Sequence, residues 1–444
     1  MKNQPIVLVV LGISGDLSHR YLLPALAEIK KARQLPPDFK VLGISRRQLA
    51  PKDVYSGSTR TLSAITEFLQ MDFSRAADYH KLKLRLKKLA GGSRLEIIFY
   101  FAVPPDATPA IISRLGVAGL DGPGVKLLLE KPFGTDLSSA QKLVKQTAKF
   151  FKESQVYRID HYVAKEVAQN ISIFLGSNVL FRKIWDREFI DYIEIVAAEA
   201  IGLEGRGNFY EKTGALRDIV QSHLLQLAAL TLMEPCPDQF DFSELPKRRL
   251  EALRSLTAPP RSKLSATVFR AQYKTYKQEI ASPNSVTETF VALQLHSKAP
   301  RWRNVPIYLA TGKKLDQKLT QIRINFKKTS ASHSNTLVIR LQPREGIELD
   351  LWVKRPGYDK ELEKKTLSFS FAQNFDHLPN AYEQVLVDAI RSDKSLFTSN
   401  QEVLASWKIL QPILDYWQQD PSDLQFYEPG SSVAKILGGE EVWK

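Results

Sequence analysis

The run Tyr157-Arg158-Ile159-Asp160-His161-Tyr162-Val163-Ala164-Lys165-Glu166 sets an acid, a histidine, a phenol and a lysine within the six positions from Asp160 to Lys165. If the run is helical, His161 and Lys165 are four residues apart and share one face. Two cationic donors at a helix start suit a dianionic phosphate, because the backbone N–H groups there already favour anions. Asp160 can then face a different partner. A surface salt-bridge cluster has the same composition, so the run alone leaves both readings open. A second segment, Asp218-Ile219-Val220-Gln221-Ser222-His223-Leu224-Leu225-Gln226, sits in a helical pattern. His223 falls on a stripe with Leu216, Ile219, Val220, Leu227 and Leu230, and from spacing alone a core histidine bonded to backbone is the simpler account. Asp218 and His223 are five residues apart, about 140° around an α-helix. A carboxylate that orients His223 is therefore expected from elsewhere, and Asp160 is the natural candidate. Histidine suits proton removal near neutral pH, and a carboxylate on its other nitrogen fixes the tautomer and raises basicity.

Near the N-terminus, Gly12-Ile13-Ser14-Gly15-Asp16-Leu17 follows the apolar run Ile6 to Leu11 and opens a helical pattern. It is a variant of the dinucleotide fingerprint without the middle glycine. Gly12 permits a tight turn, and Gly15 lets backbone approach a pyrophosphate at the helix start. Many helix starts carry such a pair and bind nothing; the position at the first strand-to-helix junction is what strengthens it. A phosphate loop of the Gly-Lys-Ser/Thr type is excluded by sequence. NAD enzymes usually place an acid at the end of the second strand. This chain reads Gly43-Ile44-Ser45-Arg46-Arg47-Gln48 there, and arginine can clamp a 2′-phosphate. NADP is the expected cofactor, with NAD a weaker cosubstrate.

The elements that must position these residues alternate between strand and helix over the first 160 residues. Ile6–Leu11, Phe39–Ile44, Leu95–Val103 and Val125–Leu129 read as buried parallel strands, and Ser18–Lys31 as a helix. From about residue 190 the character changes. Tyr192–Ala198, Val268–Tyr273, Thr287–His296, Pro306–Ala310, Thr320–Phe326, Thr336–Gln342 and Ile347–Val353 read as strands, and Gly214–Met233 as a long helix. Asn380–Ser392 and Glu402–Trp417 read as helices covering that second sheet. The expected fold is α/β plus α+β. A Rossmann-type doubly wound domain over 1–160 precedes a larger domain over 161–444, whose mainly antiparallel sheet is covered by helices.

A chain of 444 residues accommodates two such domains. One cysteine, Cys236, precludes an intrachain disulfide framework and accords with a reducing cytoplasm. No signal-peptide pattern and no apolar stretch long enough for a membrane span is expected. The net charge of +14 raises nucleic-acid binding as one reading and phosphorylated small molecules as another. The densest basic run, Lys81 to Lys88, interleaves with Leu82, Leu86 and Leu89 at helical spacing, which points to the wet face of an amphipathic helix. No nucleic-acid partner is expected, and no cluster at metal-ligand spacing suggests a metal.

As a set, these segments resemble the glucose-6-phosphate dehydrogenase family. The glycine turn at 12–17, Glu130-Lys131-Pro132-Phe133-Gly134, the RIDHY run and the DxxQxHxxQ helix occur in family order. Then come Arg270-Ala271-Gln272-Tyr273, Arg301-Trp302-Arg303-Asn304-Val305-Pro306, Thr311-Gly312-Lys313-Lys314, Gln342-Pro343-Arg344-Glu345-Gly346 and Ala381-Tyr382-Glu383. The match spans nearly the whole chain. The resemblance implies that His223 is a general base and Asp160 its orienting acid. It implies a sugar-phosphate site at Lys131, His161, Tyr162 and Lys165, with Glu199 and Asp218 on sugar hydroxyls and Lys313 and Lys318 helping to bind substrate. Gly12, Ser14, Gly15, Asp16, Leu17, Arg46, Arg47, Lys131 and Pro132 would hold the cofactor. The implied reaction is oxidation of D-glucose 6-phosphate at C1 to 6-phospho-D-glucono-1,5-lactone with hydride transfer to NADP, the first step of the oxidative pentose phosphate pathway. A cytoplasmic homodimer or homotetramer built through the sheet domain is implied as well.

Three positions and one segment depart from the family pattern. Tyr21 stands where a lysine normally helps the substrate site, Ala310 where an arginine precedes Thr311-Gly312-Lys313, and Ser222 where asparagine precedes the base. Leu175-Gly176-Ser177-Asn178 also differs. A dehydrogenase for another phosphorylated sugar, or a non-catalytic nucleotide-binding paralogue, is the alternative these departures leave.

Overall fold

Ile6–Leu11 is a run of buried aliphatic residues, and it forms β1 inside a parallel sheet. The structure is a computed structural model describing residues 4–235, 242–329, 333–375 and 378–439; Cys236 lies outside the described residues. Two compact units are present. One comprises 1–134, 138–164 and 379–400; the other comprises 135–137, 165–378 and 401–444.

In the first unit, β2 (Phe39–Ser45), β3 (Thr66–Gln70), β4 (Glu96–Phe101), β5 (Val125–Leu129) and β6 (Val156–Arg158) join β1 in the order β3-β2-β1-β4-β5-β6. Every described pairing in this sheet is parallel. Strands covered on both faces need continuous apolar side chains, which β1 supplies throughout. Lys126 of β5 is the exception. Its ammonium pairs with Glu96 and donates to the Ala389 carbonyl at 2.6 Å and the Ser392 hydroxyl at 2.7 Å. These bonds tie the helix Ala381–Arg391 to this sheet. The sequence reading set that helix over the second sheet; its apolar face instead packs in the first unit beside the helix Leu23–Lys31. The basic run lies on the helix Ala76–Ala90, with Leu82 and Leu86 buried, Lys81 paired to Asp78 at 2.7 Å and Arg85 to Glu67 at 2.5 Å.

The second unit is built on a mixed, mainly antiparallel sheet. Its strands are β7 (Ile190–Ala198), β8 (Leu256–Thr257), β9 (Val268–Tyr273), β10 (Phe290–Ser297), β11 (Ile307–Gly312), β12 (Leu319–Phe326), β13 (Thr336–Gln342), β14 (Gly346–Lys354), β15 (Leu362–Ser370) and β16 (Gln425–Tyr427). They run β15-β14-β13-β12-β7-β11-β10-β9-β16, with β8 beside β10. Pairings β7–β11 and β9–β16 are parallel.

The expected long helix over 214–233 is broken. Gly207–Ala215 is interrupted at Gly214, whose φ of 67° and ψ of 177° leave the helical region. A side chain is excluded there, because a Cβ would meet the Glu288 carboxylate at 2.3 Å. That carboxylate accepts the Leu216 N–H at 3.1 Å and so caps the next segment. Leu216–Leu224 is then wound as a π-helix and continues into the α-helix Leu225–Leu232. The π-segment packs on β7 and β11. No described helix is long and apolar enough to cross a membrane.

Candidate active site

The first unit carries a cleft of about 580 Å³ at the carboxyl ends of β1, β2 and β4. Gly12, Ser14 and Gly15 line it together with Arg46 and Arg47. Gly12 has a φ of 89°, and a Cβ there would meet the Ala102 carbonyl oxygen at 2.4 Å. The turn is held by the Gly12 N–H on the Ile44 carbonyl at 3.0 Å and the Gly15 N–H on the Gly12 carbonyl at 2.9 Å. Across the cleft Ser45 anchors the arginine pair, its hydroxyl accepting the Arg47 N–H at 3.1 Å. Both arginine side chains are exposed. Arg114, on the helix Thr108–Val117, also lines the cleft. The sequence reading missed it because a lone arginine on an amphipathic helix carries no local signal. Asp16, Leu17, Lys131 and Pro132 lie outside this lining, and the exposed Asp16 pairs with Arg20 at 3.5 Å. The bare glycine turn at the strand ends fits a dinucleotide.

Beyond β5, the Glu130 carboxylate accepts the Tyr100 hydroxyl. Burial pushes its pKa up to about 7, against the opposing Tyr100 bond and Lys131 charge, and Asp160 adds to the rise. Asp160 is buried and accepts the Tyr162 N–H at 2.9 Å. His161 meets the buried Tyr162 ring edge-on, with centroids 4.9 Å apart. Residues 161–164 form a turn, and the following helix begins at Glu166, so His161 and Lys165 do not share a helix face. The Asp160 carboxylate holds the Tyr162 N–H and thereby favours the turn.

Tyr21 does not pack on the sheet. It is 46% exposed and stacks on Tyr382, with centroids 5.3 Å apart and planes 16° apart. Burial first, then Glu130 and Tyr21, raise the Tyr382 phenol well above its ordinary pKa. The stack therefore extends the Tyr100–Glu130 group.

In the second unit, three adjacent strands bring candidate residues to one end of the sheet. Glu199 follows β7, Lys313 follows β11, and Lys318 precedes β12. Register pairs Ala198 with Gly312 on one side and with Leu319 on the other. The Lys313 ammonium is buried and donates to Glu199 at 2.5 Å, while Lys318 stays exposed. Asp218 and His223 ride on the π-segment that packs against β7 and β11, and His223 is 1% exposed. Hydrogen bonding from i to i+5 brings residues five apart nearer to one direction than an α-helix does. The angular separation expected between Asp218 and His223 is thereby reduced. Ser222 donates to the Asp218 carbonyl at 3.0 Å. Ala310 is fully buried in an aromatic cluster with Phe290, Tyr273 and Tyr427, which leaves no room for an arginine.

Lys165 stands just ahead of the helix Glu166–Ser177. Its ammonium pairs with Glu345 at 3.4 Å and donates to the Leu341 carbonyl at 3.3 Å. The other Glu345 oxygen accepts the Val167 N–H at 3.0 Å, so one carboxylate holds both the lysine and the helix start. Among the described residues no group of three or more His, Cys, Asp or Glu side chains is placed to hold a metal ion.

A parallel sheet in this strand order, with a glycine cradle beside the point where the order reverses, marks a nucleotide-dependent oxidoreductase. Residues 9–170 match the domain family described as "Glucose-6-phosphate dehydrogenase, NAD binding domain", and residues 173–437 match its C-terminal domain. The chain belongs to the glucose-6-phosphate dehydrogenase family. It is 36% identical to the glucose-6-phosphate 1-dehydrogenase of Chlamydia muridarum, over 94% of this chain and 91% of that one. With the enzyme of Dickeya dadantii it shares 33% identity, over 98% and 97%. The solved structure of a glucose-6-phosphate dehydrogenase in complex with its substrate glucose-6-phosphate superposes with a TM-score of 0.89 at 28% identity, covering 97% of this chain and 95% of that chain. The Mycobacterium avium structure gives 0.86 at 28% identity, covering 99% and 98%.

Proposed function

We propose that this chain oxidises D-glucose 6-phosphate at C1 to 6-phospho-D-glucono-1,5-lactone, with NADP as the preferred acceptor and NAD a weaker one. The observation that carries the sugar site is the pair of buried Lys313 with half-buried Glu199, beside the π-segment that bears Asp218 and His223. His223 takes the proton of the C1 hydroxyl, and Asp160 holds the imidazole in the tautomer that accepts it. Glu199 and Asp218 accept from sugar hydroxyls. Lys165, His161 and Tyr162 hold the phosphate, and Lys131, Lys313 and Lys318 add positive charge toward substrate. Gly12, Ser14, Gly15, Asp16 and Leu17 cradle the dinucleotide, with Lys131 and Pro132 at its reactive end. NADP, when bound, supplies the hydride acceptor. Rate enhancement then rests on positioning and on general base action.

A homo-oligomer in the cytoplasm fits this reading. The edge strand β15 leaves Leu367 60% and Phe369 43% exposed among polar neighbours, two apolar side chains that self-association would cover.

The test is NADPH formation measured spectrophotometrically with a panel of sugar phosphates. Glucose 6-phosphate is expected to give the highest kcat/KM. Preference for another sugar phosphate points to the related-dehydrogenase alternative, and no turnover with any points to the non-catalytic paralogue.

Cofactor choice has its own test. Replacing Arg46 and Arg47 together by alanine is expected to raise the KM for NADP about 10-fold or more while sparing NAD, because charge-assisted bonds to the 2′-phosphate are lost. An unchanged NADP/NAD preference assigns that phosphate elsewhere.

Tyr21 supplies a neutral hydroxyl where the family supplies a cation. Its exposed ring has room to be exchanged, so Tyr21→Lys is expected to raise kcat/KM for glucose 6-phosphate several-fold. No gain, with folding and NADP affinity unchanged, shows that the remaining cations suffice.

A further inference from the structure

Tyr210 lies on the helix Gly207–Ala215 and is 3% exposed. Its ring packs in the aromatic cluster with Tyr273, Tyr276 and Phe290, and the Lys313 ammonium sits over it at 5.0 Å from the centroid. Its hydroxyl is buried and makes no hydrogen bond among the described residues. Other buried phenols of the same cluster are satisfied. Tyr273 donates to Glu279 at 2.9 Å, Tyr276 to Glu211 at 2.8 Å, and Tyr427 to the Lys313 carbonyl at 2.6 Å. A buried polar atom left unbonded is costly, so its persistence calls for a partner that arrives later.

We propose that Tyr210 is a substrate-binding residue whose phenol donates a hydrogen bond to a ring hydroxyl of the bound sugar phosphate. The inference rests on the reading of Glu199, Asp218 and Lys313 as the sugar site. Burial first, then the carboxylates of Asp218, Glu288 and Glu199, hold the phenol well above its ordinary pKa. It therefore keeps its proton and can donate. Two of those carboxylates, Asp218 and Glu199, are the ones assigned to sugar hydroxyls. The Lys313–Glu199 pair directs the lysine's charge at its own carboxylate and at the ring face. What the hydroxyl lacks is an acceptor, and a polyol brings neutral oxygens that also donate to the nearby carboxylates.

Tyr210→Phe removes the hydroxyl and keeps the ring, its packing and its contact with Lys313. It is expected to lower kcat/KM for glucose 6-phosphate about ten-fold, with NADP affinity unchanged and thermal stability equal or higher, because no protein bond is broken. The panel of 2-deoxy-, 3-deoxy- and 4-deoxyglucose 6-phosphate locates the contact: for the sugar lacking the bonded hydroxyl, the ratio of wild-type to variant kcat/KM falls to about one. No loss with glucose 6-phosphate, or an equal loss with every deoxy sugar, overturns the proposal. Lys313→Ala separates the two levels. If it acts on glucose 6-phosphate and Tyr210→Phe does not, only the Tyr210 inference fails; if it leaves the sugar kinetics unaltered, the sugar-site reading fails as well.

Discussion

His223→Asn is expected to lower kcat for glucose 6-phosphate oxidation by about 10²–10⁴-fold, the usual contribution of a positioned general base. Asparagine fills a similar volume but cannot take up a proton at neutral pH. Each factor of ten corresponds to about 1.4 kcal/mol of barrier, so the loss is about 3–5 kcal/mol. NADP affinity is expected to stay near normal, because the cleft that carries the glycine turn is lined by residues of the first unit alone. NADP titration thus serves as the folding control. The side chain at 223 is 1% exposed, so a variant that merely misfolds betrays itself by lower thermal stability. Near-normal turnover in a folded variant removes His223 from the role of base.

Lys165→Ala is expected to raise the KM for glucose 6-phosphate by about 10- to 100-fold, since a hydrogen bond to a charged group contributes roughly 1.5–3 kcal/mol. Turnover of unphosphorylated glucose is expected to change little. Structure makes the comparison informative. The ammonium is held at 3.4 Å by Glu345 and at 3.3 Å by the Leu341 carbonyl, which positions the charge and leaves N–H capacity for a phosphate. Glu345 keeps its bond to the Val167 N–H when the lysine is removed, so the helix start survives. Equal effects on both sugars show that Lys165 serves the fold and does not read the phosphate.

Strands whose residues are continuously apolar were legible in the sequence because burial on both faces demands that composition. Ile6–Leu11 is of that kind, and Val125–Leu129, Val268–Tyr273 and Thr336–Gln342 also lie where the sequence placed them, although each carries a charged residue. Strand β15 was not legible. Leu362–Ser370 is largely exposed and polar, and it is ordered by nine-residue pairing with β14. β3 is short and half-buried, and β6 and β16 have three residues each, too few for a period to show. The helix Ala381–Arg391 was legible as a helix, but amphipathicity tells that one face is covered and not by what. The bonds from Lys126 decide its place in the first unit.

The local chemistry of this chain was determined by its sequence: a glycine turn after an apolar strand, arginines at the end of the second strand, and a histidine among buried positions. These rest on neighbours a few residues apart, where chain geometry is nearly fixed. Tertiary structure alone decided how distant groups meet. Glu199 and Lys313 are 114 residues apart and touch because β7 and β11 run parallel in one register. Lys318 joins that end of the sheet because β12 runs antiparallel to β7. The direction of His223 relative to Asp218 depends on π-winding after Gly214, which Glu288 stabilises from a different segment. Strand register and helix winding are set by packing between remote segments, and no local period records them.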